Sequence, residues 1–295
     1  MNAVASSVTS LYAAKVAAFA RADQKQEVRL DMEAADHAIY IDTSEPGTSN
    51  VGGPQYEHRL ESKYLDNSSL NTIYRVETFR SPGNLSGTDS KTSIRCYFVY
   101  QCQFVDANAS ENETRLEVIG DQMFLTKATA NTKQIYEEII KLAVSRTGPV
   151  IEVFDVENSK EKRLIVAFRR RTAAGLFSAL SDLYHYYGVT SSRKYVEQFS
   201  NGVCVMCVYL KPATNLPDAA RYPSLDQSIH QITKEISLLY CIPQNKFQEL
   251  FVSGRLSLQE TIYGHCLWVF VQHFLNRLGM FVSLSSLMIT NDFRF

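Results

Sequence analysis

The chain has 295 residues, of which 45% are hydrophobic and 21% charged, a composition that excludes wholesale disorder and suits about two domains. Thirty basic residues against thirty-one acidic residues leave a formal charge of −1, which argues against a nucleic-acid partner. The longest unbroken apolar run, Val203 to Leu210, is far shorter than the roughly 18–20 residues that span a bilayer, so we expect no membrane partner.

Residues 1–70 are predicted to form an N-terminal helix followed by a long polar linker. Asp, Ser, Pro, Gly and Asn collect in residues 41–70, which is typical of loops. Lys15 and Arg21 interrupt the apolar stretch near the N-terminus, so no secretory signal is predicted, while a mitochondrial transit peptide stays an alternative. Six cysteines are too sparse for a disulfide scaffold. We therefore expect a cytoplasmic or mitochondrial protein.

Residues 71–212 alternate between the periods of strands and helices. After a first candidate strand at Thr72–Phe79, the strand Ser93–Val105 places apolar residues on one face and leaves Tyr97 and Val99 on the other as an expected interface. The further elements are a helix around Ile135–Ala143, strands Val150–Val156 and Arg163–Phe168, a helix Leu176–Tyr187, and strands Tyr195–Phe199 and Val203–Leu210. From Ser93 onward this order predicts an α+β fold with a ferredoxin-like (ACT-like) βαββαβ unit.

Residues 213–295 are predicted to be a helical region. The helical stretches are Leu225–Leu239, Lys246–Phe251 and Ser257–Leu278. The last of them is expected to bury Ile262, Cys266 and Phe270 among its apolar residues.

No motif in the sequence predicts a catalytic, cofactor-binding or metal-binding residue. Neither G-x-G-x-x-G nor G-x-x-x-x-G-K-[ST] occurs, and both motifs supply the glycines of a nucleotide cradle. Cys204 and Cys207 form a C-x-x-C within a predicted strand, which would point the two sulfurs to opposite faces. The strand at Arg163 has no glycine and one aromatic residue, unlike an RNA-recognition strand.

The best polar candidate is Arg169-Arg170-Arg171 with Thr172, at the end of a predicted strand and the start of a helix. Arginines beside a helix N-terminus can hold a carboxylate or phosphate, so these residues are a candidate contact for a small anionic metabolite. The alternative is a solvated strand end paired with Asp155 or Glu157.

Extended stretches of the chain resemble the N-terminal portion of the large NAD-specific glutamate dehydrogenases of fungi. The similar stretches are Arg75–Gly83, Phe177–Gly202, Ser237–Phe247 and Trp268–Gly279. The resemblance implies an ACT-type regulatory region, NAD as the cofactor of the parent family and homo-oligomers formed through the parent enzyme. It also implies that the catalytic lysines and nucleotide-binding glycines lie downstream, since no position here matches them. The tail Met280–Phe295 does not resemble the family, which predicts a truncated gene product.

Three functions follow from these observations. The first is a regulatory or assembly segment of a glutamate dehydrogenase that is inactive alone. The second is a free-standing ACT-like module that binds a small metabolite. The third is an oligomerisation domain. We expect the first, with three regions: an N-terminal helix and linker (1–70), the α+β domain (71–212) and the helical region (213–295).

Overall fold

The structure is a computed structural model. It describes residues 29–42, 54–67, 72–80, 95–146, 148–170, 175–213, 223–241, 250 and 255–277. The chain divides into two compact units, Met1–Tyr240 and Cys241–Phe295. The first unit contains a β-sheet with helices on both of its faces, and the second contains one described helix.

Eight strands and seven α-helices are present in the described ranges. The strands are β1 (Arg29–Glu33), β2 (His37–Asp42), β3 (Tyr74–Arg80), β4 (Arg95–Gln101), β5 (Val150–Asp155), β6 (Lys162–Arg169), β7 (Val189–Gln198) and β8 (Val203–Pro212). The helices are α1 (Pro54–Glu61), α2 (Leu116–Ile119), α3 (Gln122–Lys127), α4 (Ala130–Ser145), α5 (Leu176–Tyr186), α6 (Leu225–Cys241) and α7 (Leu258–Arg277). A π-helical turn, Ser62–Asp66, continues α1.

The eight strands form one sheet in the order β1-β2-β4-β3-β7-β8-β6-β5, and every pairing between neighbours is antiparallel. The predicted ferredoxin-like (ACT-like) βαββαβ unit is therefore wrong. Such a unit needs its first and third strands side by side and parallel, and these would be β4 and β6. Strand β4 cannot pair with β6 in this sheet, because β2 and β3 occupy its two edges.

Most of the predicted elements between Thr72 and Pro212 exist, with shifted ends. Helix α4 extends the predicted stretch Ile135–Ala143 in both directions, and β7 begins six residues before the predicted Tyr195. The range 41–70, predicted as a loop or linker, contains α1 and the π-helical turn. The predicted helix Lys246–Phe251 lies almost wholly outside the described residues.

The sheet is covered on both faces within the first unit. On one face, called the α4 face, helix α4 packs through Tyr136, Ile139 and Ile140 on Ile165 and Val205. On the opposite face, called the α1 face, α1 and α5 cover the centre of the sheet. Strands β6 and β8 are buried on both sides, which explains why they are nearly continuous apolar runs rather than alternating ones.

The cover on the α1 face corrects one expectation. Tyr97 and Val99 were expected to form an interface with another molecule, but each is only 1% exposed inside this chain. Tyr97 contacts the ring of Tyr56 on α1. Cys204 and Cys207 do face opposite sides of β8, as predicted: Cys207 belongs to the core of the α4 face, and Cys204 lies near Gln198 on the other side.

The second unit is described through α7. A capping box begins this helix, because Ser257 Oγ accepts from the amide of Glu260 while the Glu260 carboxylate accepts from the amide of Ser257. Ile262 is buried as expected, whereas Cys266 and Phe270 are exposed, contrary to expectation. No helix among the described residues is long and apolar enough to cross a membrane.

A buried ionic cluster as candidate functional site

The strongest concentration of charged side chains starts on α1. Glu57 and Glu61 are four residues apart, so they lie on the same face of the helix. Both point toward the sheet, and their exposed fractions are 0% and 3%. Two buried carboxylates so close together repel each other, so this arrangement requires a cation between them.

That cation is Lys194, which is completely buried on β7. Its ammonium group forms ion pairs with both Glu57 and Glu61. It also donates a hydrogen bond to Ser181 Oγ on α5 at 2.7 Å, and Ser181 in turn donates to Glu61. All three donor protons of the ammonium group therefore have an acceptor, which is what a buried lysine requires.

Glu57 also binds residues from two other elements. Arg95 Nη1 on β4 lies 2.9 Å from its carboxylate, and Tyr184 OH on α5 donates to it at 2.5 Å. His185 Nε2 lies 3.1 Å from the same carboxylate. We call this set the Lys194 cluster: Glu57, Glu61, Arg95, Ser181, Tyr184, His185 and Lys194.

Burial and charge act in opposite directions on the ionisation of this cluster. Burial opposes the charged form of Glu57, but the positive charges of Lys194 and Arg95 overcome it and hold the pKa of Glu57 well below its usual range. For Glu61 burial prevails and raises the pKa to about 7. Burial would lower the pKa of Lys194, yet its two carboxylate partners raise it, so the ammonium form is retained.

The cluster belongs to a longer ladder of polar contacts between α1 and α5. At one end, the Asp66 carboxylate accepts hydrogen bonds from the backbone amides of Phe177 and Ser178, both at 3.1 Å. Asp66 thus caps the N-terminus of α5 from outside the helix. Farther along, His58 Nδ1 lies 2.7 Å from the Asp182 carboxylate. These contacts fix the position of α1 along α5.

A second ionic cluster lies on the α4 face. Arg75 on β3 binds Glu197 through two nitrogens at 2.7 and 2.9 Å and binds Glu77 at 2.6 Å. The Asp121 carboxylate is 4.0 Å from Arg75 and caps α3. We call Arg75, Glu77, Asp121 and Glu197 the Arg75 cluster. Burial raises the pKa of Glu197 to about 7, although the charge of Arg75 partly opposes this.

The contacts of the Lys194 cluster join α1 and α5 to the sheet, which is a structural role. The cluster's carboxylates and its ammonium group are bound to each other. Its members other than His185 are at most 4% exposed and cannot meet a substrate without prior opening, and the side chain of His185 is 13% exposed. One group is incompletely bound: Arg95 Nη2 is buried and has no hydrogen-bond partner. Among the described residues, no group of three or more His, Cys, Asp or Glu side chains could hold a metal ion.

The predicted anion contact at Arg169–Thr172 is only partly described, because Arg171 and Thr172 lie outside the described residues. Arg169 Nη1 lies 3.7 Å from the Glu111 carboxylate, and its Nη2 donates to the carbonyl of Val144. The alternative pairing with Asp155 is wrong, because Asp155 lies at the opposite end of the β5–β6 hairpin and pairs with Lys162.

Sequence reasoning missed the Lys194 and Arg75 clusters entirely. One signal was present: Glu197 is a charged residue inside the predicted strand Tyr195–Phe199, and Lys194 directly precedes that strand. A second signal was the i, i+4 spacing of Glu57 and Glu61, but it is visible only once a helix is recognised at Pro54–Glu61.

Comparison with known proteins identifies a family that matches most of the chain. A sequence profile described as "NAD-specific glutamate dehydrogenase, second domain" matches residues 28–253. That range contains the whole eight-stranded sheet and both ionic clusters.

Individual relatives agree with this match. The NAD-specific glutamate dehydrogenase of Neurospora crassa is 72% identical over 279 residues, which are 94% of this chain and 26% of the relative. The probable NAD-specific glutamate dehydrogenase of Schizosaccharomyces pombe is 39% identical over 98% of this chain and 27% of the relative. Glutamate dehydrogenase 2 of Dictyostelium discoideum is 31% identical over 93% of this chain. The chain thus spans about a quarter of the length of these relatives.

Proposed function

Because the chain belongs to the NAD-specific glutamate dehydrogenase family, as a segment that contains its second domain, we propose that it is a non-catalytic regulatory and assembly segment. The parent enzyme of this proposal oxidises L-glutamate to 2-oxoglutarate and ammonia with NAD. The segment assembles through that enzyme into homo-oligomers.

The Lys194 cluster is the observation that carries this proposal. Catalytic groups need access to substrate and a pKa near the working pH. Here the lysine that could have acted as a base is fully buried, and its two carboxylate partners raise its pKa. Its side chain holds α1 and α5 on the sheet, which supports a structural, non-catalytic role.

The described residues do not fit NAD. A dinucleotide site needs a helix N-terminus with free amides at the carboxyl ends of parallel strands. The strands described here are antiparallel, and the carboxylate of Asp66 already occupies the amides of Phe177 and Ser178 at the start of α5. Side chains of Thr129 and Asp121 likewise cap α4 and α3. We therefore assign no reaction step to this segment.

The test is an assay of residues 1–295 beside the complete Neurospora crassa relative. After folding is checked by circular dichroism, both proteins are assayed for glutamate-dependent NADH formation and titrated with NAD in a calorimeter. We expect turnover and NAD binding only for the complete relative. Turnover by the 295-residue chain at about a hundredth of the typical enzyme median of roughly 10 s⁻¹ would overturn the proposal.

The regulatory part of the proposal concerns Arg169, Arg170, Arg171 and Thr172, which we assign to a small anionic metabolite. Three arginines follow one another along the sequence, and each guanidinium group can bind a carboxylate or phosphate through two nitrogens. Phosphate, glutamate and 2-oxoglutarate are the probes in a thermal unfolding assay, because a ligand that binds only the folded state raises the melting temperature. Replacing the three arginines by alanine should abolish that rise. A wild-type chain that no probe stabilises would refute this assignment.

A further inference from the structure

Helix α7 is apolar on more than one face. Thr261 and Ile262 are buried on one side, with exposed fractions of 1% and 5%. On the other side Tyr263, Leu267 and Val271 follow one another at i, i+4 and i+8, so they form one continuous strip along the helix. Their exposed fractions are 66%, 64% and 37%, and we call them the α7 strip.

A helix that is apolar on opposite faces normally lies inside a larger protein. Large aromatic and aliphatic side chains at two-thirds exposure are costly in water, and a contiguous strip of them marks a surface that another surface covers. The capping box at Ser257 and Glu260 fixes where the helix begins, so the strip is a regular feature of the helix rather than of a frayed end.

The relatives indicate what covers the strip. The match to the second-domain profile ends at residue 253, five residues before α7 begins. The Schizosaccharomyces pombe relative nevertheless matches 98% of this chain, so its similarity runs through α7. That match takes up 27% of the relative, and most of its polypeptide lies outside the matched segment. In that relative, the counterpart of α7 therefore lies just beyond the second domain within a much longer polypeptide.

The size of the strip favours a partner in the same polypeptide. A standard interface between separate proteins takes about 20–30 residues from each side, many times more than this strip provides. Two parts of one polypeptide are held at high effective concentration, so a small apolar contact is enough to dock them. A second copy of the chain would have to form its interface without this advantage.

We propose that the α7 strip docks against an apolar surface of a neighbouring domain of the same dehydrogenase polypeptide. This inference rests on the proposed function in one respect, namely that the segment works within the longer enzyme. It assigns to α7 the contact through which the second-domain segment is fixed to the rest of that enzyme.

Cys266 is a natural probe for the contact, since it is exposed and lies three residues from Tyr263. Cys96, Cys204 and Cys207 are buried, so they should stay unreactive in any folded sample. The rate of alkylation of Cys266 by iodoacetamide is measured by mass spectrometry in two proteins. One is the 295-residue chain, and the other is a chimera in which this chain replaces the matching quarter of the Neurospora crassa relative.

We expect Cys266 to react rapidly in the 295-residue chain and several-fold more slowly in the chimera. The double variant Leu267→Ser, Val271→Ser of the chimera should restore the rapid rate. The matched control is Leu142→Ser, which changes a 46% exposed leucine of α4 and should leave the slow rate unchanged. Alkylation of Cys204 or Cys207 would show that a variant is unfolded. In that case the inference is tested only by the alkylation rates of the unsubstituted 295-residue chain and the unsubstituted chimera.

Equal rates in the two proteins would overturn the inference. Slow alkylation of Cys266 in the 295-residue chain would overturn it as well. A rate that falls as the protein concentration rises would indicate that a second copy covers the strip. A slow rate that does not change with concentration would indicate that residues of the same 295-residue chain cover it. The proposed function is tested by a separate measurement, namely NADH formation by the 295-residue chain, and that assay needs no cysteine labelling.

Discussion

Lys194 and Glu197 are three residues apart on β7 and point to opposite faces of the sheet, each into a separate buried ionic cluster. Because alternate residues of a strand face opposite ways, one strand can supply a cation to α1 and a carboxylate to Arg75. Strand β7 thereby links the helices of the α1 face to the polar contacts of the α4 face.

Removing the charge of Lys194 should be strongly destabilising. Lys194→Met leaves the Glu61 carboxylate buried without its cation and leaves Glu57 with Arg95 but without Lys194, which costs about 3–5 kcal/mol. The matched control is Lys63→Met, because the Lys63–Glu33 pair is about half exposed and contributes below about 1 kcal/mol. Urea unfolding of both variants gives the comparison. Similar losses in the two would contradict the assignment of Lys194 as the central cation.

A second change should repair part of that loss. Adding Glu61→Gln to Lys194→Met removes the buried carboxylate that has lost its cation, whereas Glu57 still has Arg95. We expect the double variant to be more stable than Lys194→Met alone in the same urea experiment. If the two losses simply add, Lys194 and Glu61 are not coupled as described.

The stability of the first unit should fall as the pH rises toward 7. The pKa of Glu197 is about 7 in the folded chain and 4.5 when unperturbed, so the folded protein holds a proton that the unfolded chain has lost. This contribution is fully present below pH 4.5 and is lost as the pH passes through about 7. Glu197→Gln should remove up to about 1.4 kcal/mol per pH unit from the slope between those values.

Urea midpoints at several pH values between 5 and 7.5 measure that slope. The control is Glu260→Gln, since hydrogen bonds from Ser257 lower the pKa of Glu260 and move its titration below this range. An unchanged slope in Glu197→Gln would show that another group is responsible for the pH dependence.

Leu180 should be part of the packed core beneath α5. It is 3% exposed, as the helical spacing predicts, so Leu180→Ala should cost about 2–5 kcal/mol. Leu142→Ala on α4 is the control, because that leucine is 46% exposed and its truncation should cost below about 1 kcal/mol. Thermal unfolding with fluorescence detection distinguishes the two. A loss below about 1 kcal/mol for Leu180→Ala would refute the packing described here.

The cap that Asp66 provides should depend on its oxygen atoms rather than on its charge alone. Asp66→Ala removes both acceptors for Phe177 and Ser178 and should cost about 0.5–2 kcal/mol. Asp66→Asn keeps one acceptor oxygen, which serves only one of the two amides, and should recover part of that loss. Equal destabilisation by the two substitutions, measured by urea unfolding, would mean that the negative charge dominates.

Local patterns in the sequence predict the elements well and their arrangement poorly. The stripe from Leu176 to Tyr187 and the apolar run from Val203 to Leu210 depend on neighbours along the chain, and both elements exist. The position of β3 between β4 and β7 depends on pairings between distant residues, such as Val76 with Val196, which no periodicity reveals. Helix α1 was missed because Pro54 and the glycines before it are typical of a loop, although proline also suits the first turn of a helix.

The contacts of α1 have a consequence for the time course of folding on the ribosome. Glu61 and Lys194 are 133 residues apart, and Glu57 and Tyr184 are 127 apart. At a synthesis rate of about 5–20 residues per second, α1 waits roughly 7 to 27 s for these partners after it has been made. During that interval Leu60 on α1 and Leu65 on the π-helical turn lack their final cover, so this segment of the nascent chain needs protection from aggregation.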